Sequence, residues 1–177
     1  MATVVERMIR AAKLDPQLYR EVEQDEGAMK QALGSVLISS AAAGIGGAGV
    51  TGPLGLIWGG LAALLGWFVW SFVVHFVGTR LLPEPRTRTD LAPLLRATGF
   101  AAAPGVIRVV GVVPLLGPLA NIIGSLWMLA AFVVAVRQVM GYTSTGRAVA
   151  VCVVGWFLYW VVTGVFLMIG LGGVLLI

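Results

Sequence analysis

The sequence predicts an all-α protein: a polytopic helical bundle in a membrane, with five transmembrane helices, the N-terminus cytoplasmic and the C-terminus outside. Three observations predict it. Of 177 residues, 59% are hydrophobic and only 11% are charged, against ~25% charged in soluble domains. Mean hydropathy is +0.96. Uncharged runs of bilayer-spanning length alternate with short connectors that hold nearly all the charge. Such a chain lacks the polar surface to cover a soluble core, which excludes a soluble enzyme, a disordered tail and a disulfide scaffold. One cysteine, Cys152, permits no intrachain disulfide.

Residues 1–31 carry five Lys/Arg and six Asp/Glu and read as a cytoplasmic amphipathic helical segment ahead of a membrane domain over 32–177. Thr3 and Glu6 have capping-box spacing. Val4, Val5, Met8, Ile9 and Ala12 then recur at helical spacing, with Glu6, Arg7, Arg10 and Lys13 on the other side. Asp15 as N-cap and Pro16 at the first helical position start a second short helix with a Leu18, Tyr19, Val22 stripe. Both pieces are too short to span. They are expected to dock their apolar stripe (Val5, Met8, Ile9, Leu18, Val22) on the membrane surface or the bundle. With eleven charges and no continuous apolar core, the segment is not a cleavable signal sequence.

The spans follow in order. Ala32–Val50 is 19 uncharged residues and Pro53–Val77 is 25, joined by a Thr51-Gly52-Pro53 turn. Each can cross ~30 Å of hydrocarbon at ~1.5 Å per residue. Residues 79–90 form a polar connector with Pro83 and Pro85. Leu91–Val113 is a weaker span, interrupted by Arg96, Pro104 and Arg108. A turn at Pro114–Pro118 leads to Leu119–Val136, then a polar loop from Gly141 to Arg147, and Ala148–Ile169 is the last span. Segments 1–31, 79–98 and 137–147 hold 5, 4 and 2 Lys/Arg, and segments 51–53, 114–118 and 170–177 hold none. The positive-inside rule gives the orientation stated above. Without the third span, Arg137 and Arg147 would fall on the wrong side.

Small residues mark expected helix contacts: Ser40, Gly44 and Ala48 on the first span, and Gly55 and Gly59, continued by Ala62 or Ala63 and Gly66, on the second. Joined by a short turn, these two spans are expected to pack as an antiparallel hairpin through those faces.

Chemistry-bearing residues are few. All eight acids lie before residue 91, so neither an intramembrane aspartyl pair nor a carboxylate proton relay is available at depth. Ser71 and His75 share a helix face, but a Ser–His dyad needs an orienting partner and an oxyanion hole. The simpler reading has Ser71 bonding back to its own helix and His75 anchoring at the interface. No metal or cofactor site is expected. Arg108 is the most informative residue, because a charge inside a span must be satisfied. Either it snorkels to the outer headgroups, or it pairs with Asn121 and helix carbonyls, or with a carboxylate of another subunit. Trp58 suits an interface belt. Trp67, Trp70, Trp127, Trp156 and Trp160 fall deeper, for packing or for receiving a partner helix or lipid chain. Arg108, Asn121, Trp127, Trp156 and Trp160 are the candidate partner or lipid contacts.

The expected function is a non-enzymatic membrane scaffold or accessory subunit of a larger assembly. The alternative is a small transporter, channel or lipid-handling protein. Expected partners are other membrane subunits and phospholipid, not nucleic acid, because the basic residues sit where juxtamembrane anchors would sit.

Several stretches together resemble bacterial Yip-domain proteins over nearly the whole chain: Glu6 to Glu23, Gly78-Thr79-Arg80, Leu94 to Pro104, the Val113 to Pro118 turn and Ala135 to Met140. The resemblance implies a five-helix membrane domain with a cytoplasmic N-terminus, here in a bacterial cytoplasmic membrane. Eukaryotic relatives bind Rab-type GTPases. Their Asp-Leu-Tyr-Gly-Pro signature is absent, so no GTPase-binding site is carried over.

Overall fold

Helix starts are set by the residues that accept the first free N–H groups. In the computed structural model, which describes residues 2–47, 52–85, 87, 89–113 and 115–175, Thr3 accepts from the Glu6 amide at 3.2 Å. The Glu6 carboxylate accepts from the Thr3 amide at 2.8 Å. This capping box opens helix α1, Val4–Ala12. Asp15 accepts from the Gln17 amide at 2.9 Å and Pro16 opens α2, Pro16–Gln24. Five longer segments follow. They are α3 (Ala28–Gly46), α4 (Gly52–Phe76) with a π-helical turn Val77–Leu81, α5 (Leu91–Ala101) continued as a 3-10 helix Ala103–Val112, α6 (Gly117–Val139) and α7 (Thr145–Leu175). No strand occurs among the described residues.

The five segments alternate in direction. Gly60 of α4 meets Leu37 of α3, and Leu56 meets Gly44, an antiparallel hairpin. Along α5 and its continuation, Gly99 meets Ala32, Gly105 meets Ser39 and Gly111 meets Gly46, so this segment runs parallel to α3. Met128, Gly124 and Gly117 of α6 meet Gly105, Arg108 and Gly111 in reverse order. Tyr159 and Gly155 of α7 face Gly66 and Val74 of α4. Three stretches, Leu54–Leu81, Leu91–Val112 and Gly117–Val139, are long and apolar enough to cross a membrane. The helix expected from Ala32 begins at Ala28, because Lys30 and Gln31 fold into it. Gln31 accepts from Arg7 at 3.1 Å.

The third segment does not continue as one α-helix. Pro104 has no N–H to offer the carbonyl of the preceding turn. From Ala103 the chain winds more tightly for ten residues. At ~2.0 Å per residue this covers roughly 20 Å, where an α-helix would cover ~15 Å. Three residues per turn also stack positions i and i+3. Gly105, Arg108 and Gly111 therefore share one face, turned into the crevice between α3 and α6. At Gly46 a Cβ would collide with the Arg108 carbonyl, so the two backbones touch there directly.

The N-terminal pair packs on this bundle. Leu18, Tyr19 and Val22 are fully buried and join one core with Leu94, Phe100, Val136 and Met140. Arg96, expected as an interruption of the third span, is buried. Its Nε donates to the Val22 carbonyl at 2.8 Å and its Nη2 to the Glu23 carbonyl. The docked face of α1 also differs from the expected stripe. Met8 and Ala11 are buried with Arg7, whereas Val5 and Ile9 are exposed. Arg7 tolerates burial because Asp25 (2.6 Å) balances its charge and Gln31 accepts a further N–H.

At the end of the bundle near α2, the π turn widens α4 and leaves carbonyls free. The Tyr142 hydroxyl donates to those of Gly78 (3.1 Å) and Leu82 (3.3 Å). Burial pushes this hydroxyl up to about 12. Glu84 meets Arg147 at 3.2 Å and accepts from the Thr143 amide, tying the 82–90 connector to the loop before α7.

Candidate functional site

A membrane bundle with small residues at its contacts can close without voids, and along most of α3, α5 and α6 this one does. It does not close at mid-height. All five long segments line a cavity of about 820 Å³, within the ~300–1,000 Å³ of small-molecule sites. Val36, Ser39, Ser40 and Ala43 come from α3; Ala63, Gly66, Trp67 and Trp70 from α4; Ala102 and Arg108 from the α5 segment. Leu126, Met128, Leu129, Phe132 and Ser125 come from α6, and Cys152, Val153, Trp156, Tyr159 and Trp160 from α7.

One wall is aromatic. Trp70 stands edge-on to Phe132 and Tyr159, with centroids 5.9 and 6.2 Å apart, and Trp160 stands edge-on to Trp156 and Tyr159. Edge-to-face packing at this spacing is favourable. It holds bulky rings apart and leaves space between them. The exposed lining residues, Ser125, Leu126, Leu129, Val153, Trp156 and Trp160, all belong to α6 and α7. The cavity therefore opens sideways, at the α6–α7 seam. A second cavity of about 410 Å³ shares Leu126, Leu129, Cys152 and Val153 and continues along the seam to Val149 and Thr145.

The other wall is polar. Arg108 Nη2 donates to Ser125 Oγ at 2.9 Å. Gly124 makes this possible, since a Cβ there would press on the Arg108 stem at 3.1 Å. Ser125 lies eight residues into α6, ~12 Å from its start, so the guanidinium is turned along the α6 side of the cavity. It does not pair with Asn121, which is exposed. Among the described residues, three buried polar atoms on this cavity have no partner: Arg108 Nε, Ser39 Oγ and Trp70 Nε1.

The sequence-chosen residues divide accordingly. Arg108, Trp156 and Trp160 line the cavity and Asn121 and Trp127 do not; Trp127 Nε1 donates to the Ala12 carbonyl at 2.7 Å. Of the packing residues, Gly44 meets α4. Gly59 gives its carbonyl to Ser40 (3.3 Å), though a side chain there would find open space. Gly55 is half-buried, and Gly66 faces Tyr159 of α7 instead of α3. Ala48 lies outside the described residues. Ser71 and His75 make no dyad. Ser71 bonds Thr98 Oγ1 at 2.8 Å rather than its own helix, and His75 Nε2 lies 2.9 Å from the Thr89 carbonyl. Thr98, not singled out in the sequence, also accepts from Trp67 Nε1 at 3.1 Å. No group of three or more His, Cys, Asp or Glu that could hold a metal ion occurs among the described residues.

Fold and site together define an integral membrane protein, a helical bundle with a side-opening cavity. Residues 19–174 match the Yip1 domain, and the chain belongs to the Yip1 domain family. Neither the curated proteins nor the solved structures gave a match.

Proposed function

We propose that this protein is a lipid-handling membrane protein that takes a lipid chain into the cavity between its helices. The observation that carries the reading is the unfilled, aromatic-walled space opening at the α6–α7 seam. A helix-association scaffold needs a filled core and a covered outer face, and a solute channel needs a polar path. This cavity is apolar apart from one corner. The reading is non-enzymatic, and it is supported by the partners of Ser71 and His75, the pair with catalytic spacing, which bond Thr98 and the Thr89 carbonyl.

The setting we propose is a bacterial cytoplasmic membrane, crossed five times, N-terminus inside. The alternating direction of α3 to α7 and the loop charges support it. One observation favours the accessory-subunit reading as a second role: α4 presents a continuous exposed apolar row, Leu54, Trp58, Leu61, Leu65, Phe68, Phe72 and Phe76, which either lipid or another subunit can cover.

Native mass spectrometry in mild detergent tests the main reading. The wild-type chain should retain one lipid, and Ala63→Trp, which fills the cavity from α4, should lose it. Absence of bound lipid from the wild type, or retention unaffected by Ala63→Trp, would contradict it.

A further inference from the structure

The polar corner specifies more than a chain-binding space. Arg108 has five N–H donors, of which the described residues accept one, through Ser125. Its Nε is buried and unpartnered, and so is the hydroxyl of Ser39, 5% exposed, on the facing helix. All eight acids lie before residue 91, and no ion pair to Arg108 is formed among the described residues. An unbalanced guanidinium away from water is costly. The 3-10 winding and Gly124 nevertheless hold it turned inward, toward the cavity. The remaining wall is aliphatic and aromatic.

We infer that the ligand is an anionic amphiphile: a phosphate or carboxylate head on Arg108, Ser125 and Ser39, with its apolar chain leaving along the α6–α7 seam toward Val149. The inference rests on the lipid-handling reading above. Charge complementarity selects an anionic head over a neutral one. The second cavity, which adjoins the first and shares Leu126 and Val153 with it, gives the chain its path. Size selects an amphiphile over a partner helix: a helix ~10 Å across and ~30 Å long displaces roughly 2,400 Å³, far more than the cavity offers.

The test uses the full chain in a zwitterionic detergent, titrated with dodecyl phosphate, dodecanol or inorganic phosphate and read by native mass spectrometry. Dodecyl phosphate should bind at least tenfold more tightly than dodecanol, and inorganic phosphate alone should leave no adduct. Arg108→Gln should bring dodecyl phosphate to within threefold of dodecanol. Arg80→Gln, an equal charge change on an exposed side chain away from the cavity, should change nothing. Equal binding of dodecanol and dodecyl phosphate by the wild type would overturn the anionic head while leaving the lipid cavity intact. This comparison decides even if Arg108→Gln does not fold. Unchanged selectivity in a folded Arg108→Gln protein would also overturn it. An inorganic phosphate adduct of equal strength would replace the amphiphile by a simple anion. If neither dodecyl compound binds, the lipid-handling reading fails together with the head.

Discussion

Replacing Arg96 by Met should loosen α1 and α2 from the bundle without unfolding it. Arg96 is 7% exposed and donates to the carbonyls of Val22 and Glu23. Both carbonyls lie in the last turn of α2, where no intrahelical N–H reaches them. The guanidinium therefore closes a helix end supplied by another part of the chain, and its charge meets the negative end of that helix. Met keeps the aliphatic stem packed in α5 and removes the donors. At about 1.5 kcal/mol for each hydrogen bond to a charged group, the loss is about 3 kcal/mol, or roughly a 100-fold rise in local opening. Hydrogen exchange of peptides covering residues 4–24, with α6 peptides as internal reference, would show it. Arg96→Lys, a point charge without the fork, should fall between. A change below about threefold in Arg96→Met would refute the reasoning and assign the docking to Leu18, Tyr19 and Val22 alone.

The same segment should respond to acid. Arg10 holds the Glu21 carboxyl below its usual range and Arg7 does the same for Asp25. Their stabilisation is full above the ordinary carboxylate pKa values and is lost as pH falls through the lowered, folded ones. Glu23, raised by burial, works in the opposite direction but singly. A spin label at Gln17 should keep its mobility from pH 7 to about 5 and loosen below about 4. Ala at Gly46 would meet the Arg108 carbonyl; overpacking of this kind costs about 1–3 kcal/mol or more, visible as a lower melting temperature. For topology, with Cys152 replaced by Ser, a cysteine at Ser144 should react with impermeant reagents only from the cytoplasmic side and one at Leu115 only from outside. Labelling of Ser144 from outside would remove the five-span arrangement.

Much of the architecture was legible because it is written in local signals. Thr3 with Glu6 and Asp15 with Pro16 announce their helices through side chains that act within three residues. The uncharged runs announce the long segments through composition. The family was legible for a related reason, as an ensemble of short stretches. What escaped depends on contacts distant in sequence. Arg96 reads as a flaw in a span until α2 is seen to end beside it. Arg7 reads as water-facing until Asp25 and Gln31 fold over it. Pro104 and Arg108 mark a weak span, but nothing local says that the chain rewinds to three residues per turn and stacks Arg108 on two glycines. The cavity was visible only as its separate parts. Trp156, Trp160 and Arg108 stood out by type, and Ser39 and Ser125 as polar residues within spans, but nothing local brings them together with Tyr159 to complete the walls. Gly124 carries no signal either, since its importance is the room it leaves for another residue's stem.

The central claim is that a lipid enters between α6 and α7 with its head at Arg108. A photoreactive phosphatidic acid, with a diazirine at mid-chain and reconstituted with the full protein in zwitterionic bilayers, tests it most directly. Cross-links located by peptide mass spectrometry should concentrate on Leu126–Phe132 and Cys152–Trp160, and should fall away when unlabelled dodecyl phosphate competes. Cross-links spread over the outward row of α4 from Leu54 to Phe76, with none on the facing sides of α6 and α7 and no competition, would contradict the account.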